Sequence, residues 1–250
     1  MPMTGDTVDW EQPLFRAADF DGATGGDRIQ CALDRAVDHA GTAVVRVGPL
    51  GPDKDGVWLL RQALQIGSRT VLLLEGAVLR LADGACDNVI RNRAATGPEG
   101  ARDREIHIAG RGGAWLDGNA SNQNPPQNDK AFHWSRNGID LYRVDGFSVQ
   151  GLRIGPTDSY AVAPEDVTDG YIRNLVFEQD DSTHNQDAVN IGGPARSIQV
   201  VDCRGRVGDG AVTIASRGTA TSHKTEDEGG DVFGIHVENL VFEAVDRSAC

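Results

Sequence analysis

The chain has 250 residues, 39% of them hydrophobic and 24% charged, enough for one sizeable core in a large all-β or repeat domain. Asp and Glu outnumber Lys and Arg by 37 to 24, a formal net charge of −13. That balance argues against nucleic acid or an anionic membrane as partner, since phosphate binding needs clustered basic side chains.

The start, Met1 to Phe15, has neither a basic nor an apolar leader region, so a cytoplasmic protein is expected unless a leader has been removed. No apolar stretch approaches the ~18 residues of a membrane helix. The first helix is predicted from Asp27 to Val37, with Ile29, Leu33, Ala36 and Val37 on one face, Asp27 as N-cap and Gly41 ending it. A strand follows over Thr42 to Val47. A further pair, Thr70 to Leu74 and Ala77 to Leu81, flanks a turn at Glu75-Gly76.

Beyond this point the helical period disappears. Short alternating runs recur at Ile106 to Ala109, Ala114 to Leu116, Gly138 to Leu141, Phe147 to Val149, Leu152 to Ile154, Tyr160 to Val162 and Tyr171 to Phe177. They continue at Ala188 to Ile191, Ser197 to Val201, Ala211 to Ile214 and Gly234 to Phe242. Gly, Asn and Asp punctuate them, which predicts strands of about four residues between turns. Three stretches, beginning at Asp145-Gly146, Asp169-Gly170 and Phe233-Gly234, resemble one another, and Gly146 and Gly170 are 24 positions apart. That period belongs to a solenoid of strands. Asn119 to Asp129 and Arg217 to Asp231 read as exposed loops.

Cys31, Cys86, Cys203 and Cys250 show no C-x-x-C spacing, so free buried thiols are expected rather than a zinc or redox motif. Asp180-Asp181 near His184 invites a calcium site, but the acids do not obviously converge, and neither metal nor cofactor is assigned.

Two motifs carry the chemistry. Asn185-Gln186-Asp187 opens one alternating run, and Gly208-Asp209-Gly210 opens the next. Asp187 and Asp209 are 22 positions apart, close to one coil. They are therefore expected on one wall in neighbouring coils, where paired carboxylates serve glycoside hydrolysis. Each alone also fits a turn aspartate bonded to its own backbone. Coils stack at about 4.8 Å, closer than the roughly 6.5–9.5 Å that an inverting pair needs to hold a water. The pair must therefore splay or be offset along the strand. Like charges in a groove oppose joint ionisation, which favours an acid at one of them. His184, Asn185, Arg217, His223 and Lys224 are candidate substrate-binding groups beside the pair. Tyr160 and Trp134 are candidates to stack on sugar rings, with core packing as the alternative for both. His107 and His236 alternate within strands and are read as structural.

Residues Ala18 to Leu33 are similar to the opening segment of the pectin-lyase-like right-handed parallel β-helix superfamily, in which a strand leads into a capping helix. Asn185-Gln186-Asp187 and Gly208-Asp209-Gly210 resemble the Asn-Thr-Asp and Gly-Asp-Asp motifs of the polygalacturonases, glycoside hydrolase family 28. The resemblance implies a single right-handed parallel β-helix over residues 1–250, with opening strands and capping helix over about 14–82 and coils over about 83–250. It implies a polysaccharide or oligosaccharide substrate of the pectic type, Asp187 activating water and Asp209 as general acid. Three departures stand out: Gly210 replaces the second aspartate of the pair, and the family's later Gly-His-Gly and Arg-x-Lys are absent. Losing an aspartate at Gly210 removes one source of pressure on the acid. The chain stops in mid-coil at Val245 to Cys250, as expected of a fragment. A non-catalytic glycan-binding or structural β-helix and a polysaccharide lyase of the same fold are the alternatives.

Overall fold

In the computed structural model, residues 13–123, 136–216 and 229–245 are described. Elements follow in chain order: β1 (Leu14–Arg16), α1 (Gly25–Val37), β2 (Ala43–Val47), β3 (Trp58–Leu60), β4 (Leu64–Ile66), β5 (Thr70–Glu75), β6 (Val78–Leu81) and β7 (Ile90–Asn92). Then come β8 (Asp103–Arg111), β9 (Trp115–Asp117), β10 (Ile139–Gln150), β11 (Arg153–Ile154), β12 (Val162–Arg173), β13 (Val176–Glu178), β14 (Val189–Val207), β15 (Val212–Ala215) and β16 (Val232–Ala244).

Helix α1 starts two residues earlier than the periodicity predicts. Thr24 is the N-cap, and its hydroxyl accepts from the Asp27 N–H at 3.3 Å. Asp27 returns the bond to the Thr24 N–H at 2.8 Å, so the acid closes a capping box rather than forming the cap. Ile29, Ala32, Leu33 and Ala36 are buried with β2, β3 and β4 side chains in the main core. The helix thereby covers the first coils.

Every strand pair is parallel, and together they make a parallel β-helix with three ladders. One ladder runs β1-β2-β5-β8-β10-β12-β14-β16. A second runs β3-β6-β9-β11-β13-β14. The third, β4-β7-β10-β12-β14-β15, carries the site. The two strands around Gly76 thus belong to different ladders and pair with other coils, not with each other.

Like side chains stack inward from coil to coil. Val45, Leu72, Ile108, Val149, Ile172 and Val200 form one such column, and Leu79, Leu116, Ile154 and Phe177 another. All ten are wholly buried, and stacking apolar side chains at every rung removes their surface from water.

Many strands are two to four residues long, as the alternating runs predict, but those of the first ladder from β8 onward are longer. β10 and β12 each run 12 residues and β14 runs 19, because single left-handed residues turn the corner without breaking the ladder. Arg69, Glu105, Gly146, Asp169, Ser197 and Gly234 form one such corner column, all at positive φ. Asn174, Asp202 and Asn239 form another.

This register corrects the repeat spacing. Gly146 opposes Asp169, not Gly170, so the coil is one residue shorter there than the matching glycines suggest. Gly170 serves a different purpose: a Cβ on it would lie 2.3 Å from the Phe147 ring, which fills the space.

Other expectations need amendment. Cys203 is buried, but Cys31 is exposed and Cys86 only half-buried; all three are free thiols. Asn119 is not the start of an exposed loop: Ala120–Asn122 form a single 3-10 turn, and Ala120 and Gln123 are buried. The remainder of that stretch, Trp134, and most of the stretch from Arg217 to Asp231 lie outside the described residues. His107 is half-buried and bonds the Ser148 hydroxyl at 2.9 Å, while His236 is exposed beside Glu238. Among the described residues, no helix is long and apolar enough to cross a membrane.

Candidate active site

The site lies on the outer face of the third ladder, at the turns leading into β12, β14 and β15. The Ala161 N–H donates to the Asp187 carbonyl and the Ala188 N–H to the Gly210 carbonyl, so Tyr160, Asp187 and Gly210 occupy equivalent places in successive coils. Asp187 therefore stacks on Gly210, and Asp209 is offset by one residue along the chain. A rung of about 4.8 Å combined with one Cα step of about 3.8 Å puts the two backbone positions about 6 Å apart. This offset is the alternative that keeps the carboxylates from stacking in register.

The two acids differ in setting. Asp187 is buried and Asp209 is exposed. Asp187 is not part of the apolar interior. Its Oδ2 accepts from Asn190 Nδ2 at 2.9 Å, and Asn190 alternates with Val189 and Ile191, both of which face the core. Its Oδ1 accepts from the Gly210 N–H at 2.7 Å. Two donors from different coils fix the carboxylate in one orientation.

Gln186, at the threonine position of the family motif, is a structural tie. Its Oε1 accepts from the Asp181 N–H at 2.6 Å, and its Nε2 donates to the Thr157 carbonyl at 2.8 Å and to Asp180 Oδ1 at 3.0 Å. Burial works against the Asp180 carboxylate, but hydrogen bonds from Ser182 and Gln186 outweigh it and hold its pKa below the ordinary value. Asn185 adopts a left-handed turn conformation and is half-buried; His184 beside it is exposed. Arg217, His223 and Lys224 lie outside the described residues. Asp180, Asp181 and His184 do not converge on a cation: among the described residues, no three His, Cys, Asp or Glu side chains group as metal ligands.

Tyr160 ties the acids together. It is 5% exposed, and its hydroxyl pKa is pushed up to about 12, first by burial and then by the charges of Asp187, Asp209 and Glu165. Both candidate acids thus lie within electrostatic reach of one phenol. Its burial makes it a floor residue beneath Asp187 rather than an open stacking platform.

Several neighbours escaped the sequence reading. Asn190 and Thr213 face each other in register on the outer face, one coil apart. Their signal was legible: each is the lone polar residue inside an apolar run, three positions after Asp187 and Gly210. Glu165 is also buried on this face, opposite Gly192, where any Cβ would meet its side chain at 2.9 Å. Nothing in its local pattern marked it. Arg136 and Asp158 form a buried ion pair, three positions before strand β10 and four before β12 respectively. An arginine beside an undifferentiated stretch offered no clue.

Among curated protein sequences, none matches the chain. Among solved structures, the Yersinia enterocolitica family 28 exopolygalacturonase superposes with a TM-score of 0.72 at 14% identity, over 93% of this chain and 49% of that one. The polygalacturonase from Erwinia carotovora ssp. carotovora gives 0.67 at 15%, over 96% and 70%. PfbA, a surface adhesin of Streptococcus pneumoniae, gives 0.61 at 12%, over 94% and 64%. The chain therefore spans about half of the first enzyme and less than two thirds of the adhesin. At such identities these likenesses establish the parallel β-helix fold alone. The sequence profile of glycosyl hydrolases family 28 matches residues 94–239, more than half of the chain and both acid motifs. The chain belongs to the glycosyl hydrolases family 28.

Proposed function

We propose that the chain is a polygalacturonase-like glycoside hydrolase that cleaves a pectic or related acidic polysaccharide with inversion. The observation that carries this reading is the placement of Asp187 and Asp209 in adjacent coils, offset by one residue and both within electrostatic reach of Tyr160 in the coil before Asp187. Asp187, held by Asn190 and Gly210, takes a proton from water as its oxygen attacks the anomeric carbon. Asp209, exposed at the groove, gives a proton to the leaving glycosidic oxygen as the carbon–oxygen bond breaks. The two acids exchange protonation states in that step, and solvent resets them. His184 and Asn185 stand at the rim as groups for sugar hydroxyls, and Arg217, His223 and Lys224 are assigned to the substrate by sequence position. The chemistry uses no cofactor.

The test is reducing-end release from a panel of pectic polymers. Asp209→Asn and Asp187→Asn should each lower kcat by about 10²–10⁴-fold, and the first-formed sugar end should have inverted configuration by NMR. Unsaturated, ultraviolet-absorbing products would instead point to a lyase. Gly210, in place of an acid, favours one second reading, a glycan-binding β-helix. Binding without turnover, unchanged in both variants, would support it.

A further inference from the structure

Thr213 lies in β15 directly opposite Asn190 of β14, on the outer face of the site ladder. Among the described residues, no protein group hydrogen-bonds its hydroxyl, which is half-buried. It sits in a defined place. A Cβ built on Gly210 would lie 2.4 Å from Thr213 Oγ1 and 3.2 Å from Asp187 Oδ1, so both oxygens border the same small space. Any side chain at position 210 would fill it.

Asp187 uses one lone pair on each oxygen for Asn190 and Gly210 and keeps others. An ordered water needs two to four polar partners, and hydrogen bonds of about 2.8 Å let one water reach both a carboxylate and a hydroxyl across this space. We infer that the Thr213 hydroxyl and Asp187 together hold the attacking water. Thr213 accepts or donates one hydrogen bond while Asp187 accepts the proton that is lost on attack. Where the family pair has a second aspartate, this chain keeps a glycine, which lends its N–H to the base and leaves room for a hydroxyl three residues later. The inference rests on Asp187 being the base.

The variants are Thr213→Val, which keeps the shape and removes the hydroxyl, and Thr213→Ser, which restores it. Thr213→Val should lower kcat about 10- to 100-fold, the scale of one hydrogen bond to a charged system, with KM and thermal midpoint unchanged. Thr213→Ser should return kcat to within about threefold of the parent. Full activity in Thr213→Val, or a rise in KM alone, overturns the assignment. High-resolution crystal structures of the parent and Thr213→Val proteins give a readout independent of turnover. A water bonded to both Asp187 and Thr213 in the parent, and lost in the valine variant, supports the assignment. The lack of such a water in the parent overturns it. If the parent hydrolyses no polymer, the functional reading fails while the water's position still decides the role of Thr213.

Discussion

Replacing Asn190 by Asp tests the clamp on Asp187. The amide donates to Asp187 Oδ2 at 2.9 Å, and both residues are only 4% exposed. The substitution keeps the shape, removes the donor and sets two carboxylates against each other. A hydrogen bond to a charged group contributes about 1.5–3 kcal/mol. For a chain of this size each kcal/mol corresponds to about 2–4 °C in Tm, so a loss of about 3–12 °C is expected at pH 7.5. The new pair must share a proton, because adjacent like charges cannot both ionise readily. Its proton affinity in the folded state is thus raised above that of an unfolded aspartate, ~3.9. Stability linked to that proton is present at low pH and is lost as pH rises. The deficit against the parent should therefore shrink at pH 4.5, where an O–H···O bond replaces the amide contact. Asn190→Ala, which adds no carboxylate, should show a deficit that changes little with pH. Thermal unfolding followed by circular dichroism at both pH values measures all three proteins. An Asn190→Asp deficit equal at pH 4.5 and 7.5, or below about 1 °C at pH 7.5, would refute the clamp.

Tyr160 should ionise near 12 in an ultraviolet pH titration, above the ordinary phenol value. Its folded pKa lies above the unfolded value, so the stability it contributes is present below pH 10 and fades as pH rises through about 12. Glu165→Gln or Asp187→Asn removes a neighbouring negative charge and should move the phenol downward; no movement in either variant would contradict the packing around it. Gly170→Ala should cost about 1–3 kcal/mol by overpacking, a fall of about 2–12 °C in Tm, because its methyl would press on the Phe147 ring. Phe147→Leu in the same chain should recover part of that loss, and simple additivity of the two losses would show that the ring is not the obstacle.

Much of the fold is legible residue by residue. The apolar face of α1, the alternation within each run and the recurrence of Gly, Asn and Asp all report local requirements: burial on one side and a left-handed corner at each bend. Those requirements recur in every coil, so a solenoid can be read from one chain. The spacing cannot be read as finely. Gly146 and Gly170 look equivalent, yet Gly146 turns a corner and Gly170 makes room for Phe147. Asp169 and Ser197 hold the same corner as Gly146 and Gly234, so matching letters do not mark matching positions.

The site divides in the same way. The two acid motifs and their order were determined by the sequence, because an aspartate at a turn before an apolar run is a local pattern. Which residue stacks on Asp187 was decided only by the tertiary structure, since one residue of drift between coils replaces Asp209 by Gly210 as its neighbour. The partners that matter to Asp187 come from the Asn190 side chain, the backbone of the next coil and a tyrosine in the preceding one. Register is set by the summed hydrogen bonds and packing of whole ladders, and no short stretch of chain contains that sum.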